Sequence, residues 1–188
     1  RVKVEDLIRG IVVQSGNDAT IVVAEGLAGS EAAFAEQMTR KARELGMSKS
    51  TFRNASGWPD PEHVTSAADL ATLAIATIRD FPDYYHYYSE LSYTYNEIKQ
   101  SNRNPMLYKD IGADGLKTGH TEASGYGLTA SAVRGNRRLV MVANGYESVN
   151  ARATGGERLL DWGFREFENY ALFKEGEKII DAQVWLGD

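Results

Sequence analysis

The chain has 188 residues, with 21 lysines and arginines against 26 aspartates and glutamates, for a net charge of -5. That length suits one domain, and an acidic balance without a basic stripe argues against nucleic acid as the main partner. Hydrophobic residues make up 43% of the chain, enough to fill a core, and the absence of cysteine removes disulfides, thiolate metal sites and a cysteine nucleophile, leaving serine, lysine and carboxylate chemistry.

Val4 to about Met47 reads as helices broken by two short connections. Leu7, Ile8, Ile11 and Val12 lie at helical spacing, and the run stops at Gln14-Ser15-Gly16-Asn17, where glycine and asparagine disfavour a helix interior. A second helix is expected from Asp18 or Ala19 to the stretch Gly26–Gly29. Ser30 then suits an N-cap with Glu31 in the first turn, Phe34, Met38 and Leu45 mark an apolar face, and Gly46 ends the helix. Neither this region nor any other holds the roughly 20 apolar residues that a bilayer span takes.

Ser48 to Val64 is rich in turn formers and reads as an irregular connection. Ser66-Ala67-Ala68-Asp69 approaches a capping box and opens a helix with Leu70, Leu73, Ala74 and Ile78, closed by Pro82. The period then changes: Leu91, Tyr93 and Tyr95 alternate with polar residues, as in a half-buried strand. Tyr84 to Tyr88 reads as packing beside a helix end, and His63 and His86, which have no partner at metal-ligand spacing, read as structural.

A clear hairpin follows. Tyr126, Leu128, Ala130 and Ala132 alternate with Gly127, Thr129 and Ser131, Arg134-Gly135-Asn136 supplies the turn, and Leu139 to Ala143 form the return strand. A last helix from about Ala151 carries Leu160, Gly163, Phe164 and Phe167 on one face. Beyond it lie an acidic solvated face within Glu166–Asp188 and a short apolar segment ending at Trp185-Leu186. The fold class is therefore α/β (α+β), an antiparallel sheet flanked by helices on both faces. Neither a dinucleotide fingerprint nor a phosphate-binding loop occurs, so nucleotide binding is not expected, nor is any metal or other cofactor.

Two triplets carry the chemistry. Ser15-Gly16-Asn17 sits at a break between helices, where a hydroxyl and an amide can project into a common space. Lys117-Thr118-Gly119, just before the hairpin, suits carboxylate capture: charge from Lys117, a hydrogen bond from Thr118, and close approach at Gly119.

An SxN triplet between helices, followed about a hundred residues later by KTG beside an antiparallel hairpin, resembles two of the three signature motifs of penicillin-binding proteins and serine β-lactamases. The surrounding words, Leu7-Ile8-Arg9-Gly10-Ile11, Gln14-Ser15-Gly16-Asn17-Asp18-Ala19, Asp114-Gly115-Leu116-Lys117-Thr118-Gly119-His120-Thr121 and Leu160-Asp161-Trp162-Gly163-Phe164, resemble the low-molecular-mass D-alanyl-D-alanine carboxypeptidases. The likeness runs to Val184-Trp185-Leu186-Gly187-Asp188. It implies the transpeptidase fold of that superfamily, no cofactor, and a serine acyl transfer on peptidoglycan stem peptides ending in D-Ala-D-Ala, with β-lactams as acylating ligands.

The same resemblance implies the site. Ser15 relays a proton, Asn17 holds the substrate backbone and a lysine, and Lys117 lends positive charge. Thr118 and Gly119 receive the carboxylate, the His120 backbone N–H serves the oxyanion, and Arg152 and Arg103 help hold the carboxylate. The third motif, SxxK, is missing: none of the eight lysines has a serine three residues before it. With Arg1-Val2-Lys3 at its start in place of a methionine or signal peptide, residues 1–188 are expected to be one partial catalytic domain, incomplete at the N-terminus and inactive without the part that carries SxxK. A periplasmic location is expected, with any membrane tether outside this chain. A β-lactamase or D,D-endopeptidase of the same fold, and a non-catalytic penicillin-fold module that binds peptidoglycan or a protein, are the competing readings.

Overall fold

The computed structural model describes residues 1–181. Helix α1 (Val4–Val12) buries its apolar side, and Val12 and Val13 join Tyr87 in a cluster completed by Ile8, Ile11, Tyr88 and Tyr93. Glu5 and Asp6 in its first turn and Arg9 in its last suit the helix dipole. After a four-residue break, α2 (Asn17–Ala28) and α3 (Glu31–Glu44) form an antiparallel pair. Ser30 Oγ accepts the Ala33 amide at 3.2 Å, the expected cap. The buried positions of α3 are Ala35 and Ala42, so the pair packs on small residues, and Phe34, Met38 and Leu45 lie half-buried beside them.

The connection to α4 (Ala67–Asp80) is irregular but tightly bonded. Ser66 Oγ caps α4 through the Asp69 amide at 3.1 Å. The second half of a capping box does not form. The Asp69 carboxylate instead accepts Ser50 Oγ at 2.6 Å and the Lys49 amide at 2.9 Å, and these bonds hold it below the usual carboxylate range. Thr51 and Val64 bridge the two ends of the connection. His63 packs edge-on against Phe52, and His86 Nδ1 lies 2.9 Å from the Asp83 carbonyl, so both histidines are engaged locally.

Helix α5 (Pro82–Tyr85) and a short 3-10 turn lead into a two-stranded ribbon, β1 (Ser92–Tyr95) and β2 (Ile98–Ser101). Asn96 and Glu97 both take left-handed backbone angles, φ 48° and 65°, as a two-residue hairpin turn requires. Of the three residues expected to face the core here, only Tyr93 does so, donating its hydroxyl to Asp6 at 2.7 Å. Leu91, just before β1, and Tyr95, at the turn end of the ribbon, are exposed.

The main sheet is three antiparallel strands in the order β3 (Ala113–Thr121), β4 (Gly125–Arg134), β5 (Arg137–Tyr146). The expected hairpin is β4–β5, turning at Gly135 with φ 62°. Lys117-Thr118-Gly119 does not merely precede it but lies within β3, an edge strand. Helix α6 (Val149–Glu166), capped by Ser148 Oγ on the Ala151 amide at 3.0 Å, covers one face. There Leu160 meets Leu128, Ala130, Ala132, Met141 and Met106. On the other face Ala74 and Ile78 of α4 cluster with Val140, Tyr85, Tyr88 and Leu116.

Helices thus cover both faces, and the polar alternates of β4 do not face water. Ser131 is fully buried and accepts from Arg138. Phe167 departs from the face expected of it: it lies past the end of α6, exposed, with its ring edge-on to Trp162. The acidic stretch is exposed through Asp181; the apolar segment ending at Trp185-Leu186 and the words Val184–Asp188 lie outside the described residues. No helix among the described residues is long and apolar enough to cross a membrane.

Candidate active site

The break between α1 and α2 presents Ser15 in a left-handed conformation, φ 60°. A non-glycine residue there is uncommon, and the surrounding structure holds it: the Gly16 amide donates to the Gly10 carbonyl at 2.9 Å, pulling the loop back over the end of α1. The middle residue of the triplet is crowded. A Cβ on Gly16 would lie 2.8 Å from Asp18 Oδ1 and 3.3 Å from the Gly10 oxygen. Asn17 begins α2, exposed, with its carbonyl taking the Thr20 hydroxyl at 2.6 Å.

Against this loop stands the edge of β3. Lys117 Nζ donates to Ser15 Oγ at 2.7 Å across 102 positions of sequence, and to the Thr118 carbonyl at 2.8 Å. Both acceptors are neutral. Burial first, then the positive charges of Arg103 and Arg152, push the Lys117 ammonium down from 10.5 to about 8. At neutral pH it is still mostly protonated and spends its hydrogens on the serine oxygen and a carbonyl. A lysine that donates to Ser15 leaves the serine's own hydrogen free for a third group.

Arg103 is exposed on a loop fixed by its two neighbours. Asn102 Nδ2 donates to the Glu90 carbonyl at 3.0 Å, Asn102 Oδ1 accepts the Asn104 amide at 2.9 Å, and Asn104 Oδ1 accepts the Met106 amide at 3.0 Å. Arg152, in the first turn of α6, is only 6% exposed, and its Nε has no hydrogen-bond partner among the described residues. Two arginines and a lysine, none of them in an ion pair among the described residues, make a site that favours an anion. Thr118, beside Lys117, is buried. Gly119 has open space where a Cβ would sit, so the chain's own packing does not demand glycine there, and β3 is an edge strand of the sheet among the described residues.

Of the residues singled out from sequence, the structure joins Ser15 to Lys117 and sets Arg103 and Arg152 near enough to act on the lysine's charge. His120 reaches Arg152 through a shared neighbour, the ring of Tyr126. Asn17 and Gly119 stand at the site without bonding to the others. Sequence reasoning missed the support behind β3. Asp114 accepts Tyr85 Oη at 3.1 Å and pairs with Arg138 at 2.7 Å, and the Tyr85 hydroxyl fills the space that a Cβ on Gly115 would need. Burial and the Asp114 charge push the Tyr85 phenol well up, so it stays a hydrogen-bond donor. No periodicity marks Tyr85; only the glycine before Leu116-Lys117 hinted at a close neighbour.

An antiparallel sheet between helical layers, with a lysine-bearing edge strand against a serine in a helix break, is the fold of the penicillin-binding proteins. Penicillin binding protein 5 of Haemophilus influenzae superposes with a TM-score of 0.84 at 43% identity, over 87% of this chain and 48% of that one. The cefotaxime-bound penicillin-binding protein D2 of Listeria monocytogenes does so with a TM-score of 0.81 at 31% identity, over 87% and 67%. Within that class, the chain belongs to the D-alanyl-D-alanine carboxypeptidase family Peptidase_S11, whose model matches residues 1–147. The D-alanyl-D-alanine carboxypeptidase DacA of Haemophilus influenzae is 41% identical over 190 aligned positions, covering all of this chain and 48% of its own length. The chain therefore spans about half the length of the curated relatives it matches.

Proposed function

We propose that this chain forms the SxN and KTG side of a serine-type D-alanyl-D-alanine carboxypeptidase centre, which removes the terminal D-Ala from peptidoglycan stem pentapeptides and is acylated by β-lactams. The observation that carries the reading is the Lys117–Ser15 contact at 2.7 Å, because it binds the two triplets into one proton-handling unit. The nucleophilic serine and its lysine belong to the SxxK motif, which no position of this sequence supplies.

In this reading the SxxK serine attacks the D-Ala-D-Ala carbonyl and passes its proton to the SxxK lysine. The tetrahedral oxyanion takes the His120 backbone N–H as one donor, a contact typically worth about 3 kcal/mol in the transition state. The C–N bond then breaks, the leaving amine receives a proton through Ser15, and water hydrolyses the remaining ester. Ser15 suits the relay because Lys117 occupies its oxygen and leaves its hydrogen to give. The Lys117 charge disfavours a second ammonium nearby and so helps keep the SxxK lysine neutral and basic.

Thr118, Arg103 and Arg152 hold the substrate's terminal carboxylate, and Asn17 and the open edge at Gly119 align its backbone. Supporting this, the arginines and Lys117 are free of carboxylate partners among the ion pairs of the described residues. The β-lactam reading draws on the cefotaxime complex of the Listeria relative. Such a substrate places the enzyme outside the cytoplasm, at the periplasmic face of the inner membrane, with any tether beyond this chain.

Intact mass spectrometry of the full-length protein with and without excess penicillin tests the proposal. A gain of one penicillin mass, lost on mutating the SxxK serine, supports it. A full-length protein that gains nothing is a penicillin-fold module that binds peptidoglycan or a partner without catalysis.

A further inference from the structure

The ring of Tyr126 lies between two residues of the proposed site, and no step of the reaction uses it. In the β3–β4 ladder His120 sits directly opposite Tyr126, and their ring centroids are 4.0 Å apart at a tilt of 34°. The guanidinium carbon of Arg152 is 5.6 Å from the centroid of the same tyrosine ring. Arg152 needs that support, because it is buried and its Nε finds no acceptor among the described residues. An aromatic face attracts a guanidinium without consuming its N–H groups, which stay free for an incoming carboxylate.

The strand that carries the ring is itself anchored. Tyr126 pairs across β4–β5 with Tyr146, and Gly155 of α6 packs so close to the Tyr146 ring that a Cβ would overlap it. The first turns of α6, which carry Arg152, are thereby tied to the end of the sheet that carries His120.

We infer that Tyr126 is a positioning residue that makes the site selective for a free terminal carboxylate by holding Arg152 on the anion. The inference rests on the carboxypeptidase reading and deepens it. On the full-length protein, acylation rates by benzylpenicillin and by its methyl ester are followed by intact mass, for wild type, Tyr126→Phe and Tyr126→Leu, with Tyr126→Ile as a second strand-compatible variant should the leucine variant not fold.

Loss of the ring slows acylation by the free acid about tenfold and leaves the ester within about twofold, while Tyr126→Phe keeps wild-type selectivity, since the ring face and not the hydroxyl bears the cation. Equal slowing of both probes, or of neither, in a folded variant overturns the inference and leaves the carboxypeptidase reading intact. A wild-type protein that neither probe acylates sinks both.

Discussion

The α6 side of the sheet and the β3 edge are built from adjacent strands by opposite rules. Under α6, Leu128, Ala130 and Ala132 meet Leu160 and Met141 in an apolar cluster, and Gly156 lets the helix approach until a Cβ would lie 2.7 Å from Leu128. At the β3 edge a serine sits in a left-handed conformation, a lysine is desolvated beside two arginines, and a buried guanidinium nitrogen has no partner among the described residues. The first region meets the packing preferences of its apolar side chains, with only the glycines inside α6 set against local propensity. The second violates several, and such violations persist where a ligand is to complete them.

The contrast can be broken from either end. The largest effect expected is on the core: Leu160→Ala should lower stability by about 2–5 kcal/mol, measured by urea unfolding, while the molecules that remain folded acylate at the wild-type rate. Slower acylation per folded molecule would show that the core and the edge are coupled.

Lys117→Met should do the reverse, slowing acylation of the full-length protein by about a hundredfold or more with no loss of thermal stability. Next, Asp69→Ala removes the charged acceptor of Ser50 Oγ and the Lys49 amide and should cost about 1–3 kcal/mol, because the amide loses its partner and the buried hydroxyl keeps only Thr65.

The pH dependence is smaller and sharper in meaning. Lys117 titrates at about 8 when folded and at its ordinary 10.5 when unfolded, so between these values the unfolded chain binds more protons. Stability from this group rises with pH across that window and is lost as pH falls through about 8. The melting temperature of wild type relative to Lys117→Met should therefore improve from pH 8 to 10.5. The same loss of charge should weaken capture of a carboxylate substrate, seen as a rising KM above pH 8. A flat difference would mean that the lysine is not desolvated. The smallest effect belongs to the exposed Lys41–Glu44 pair, where Glu44→Ala should change stability by no more than about 0.5 kcal/mol.

Much of this architecture is written locally. Ser30, Ser66 and the apolar spacing of α1 and α4 announce their helices, since a cap or a helical period needs only neighbours in sequence. The β4–β5 hairpin is equally legible from alternation and a tight turn. Strand β2 was not legible, because Ile98–Ser101 is exposed throughout and its pairing rests on the Asn96-Glu97 turn. The capping box at Ser66 was half wrong for a similar reason: the Asp69 carboxylate is claimed by Ser50 from a loop that no local rule places there.

The sequence by itself determined which chemical groups were available: a serine and an amide at a helix break, a lysine, threonine and glycine in one triplet, and no SxxK. Tertiary structure alone decided that Lys117 meets Ser15 across 102 positions, that the lysine is stripped of water and crowded by two arginines, and that one tyrosine ring serves both His120 and Arg152. The division is physical. Caps, turns and periods are set by the backbone within a few residues, whereas desolvation, charge proximity and ring stacking exist only when distant segments exclude water together.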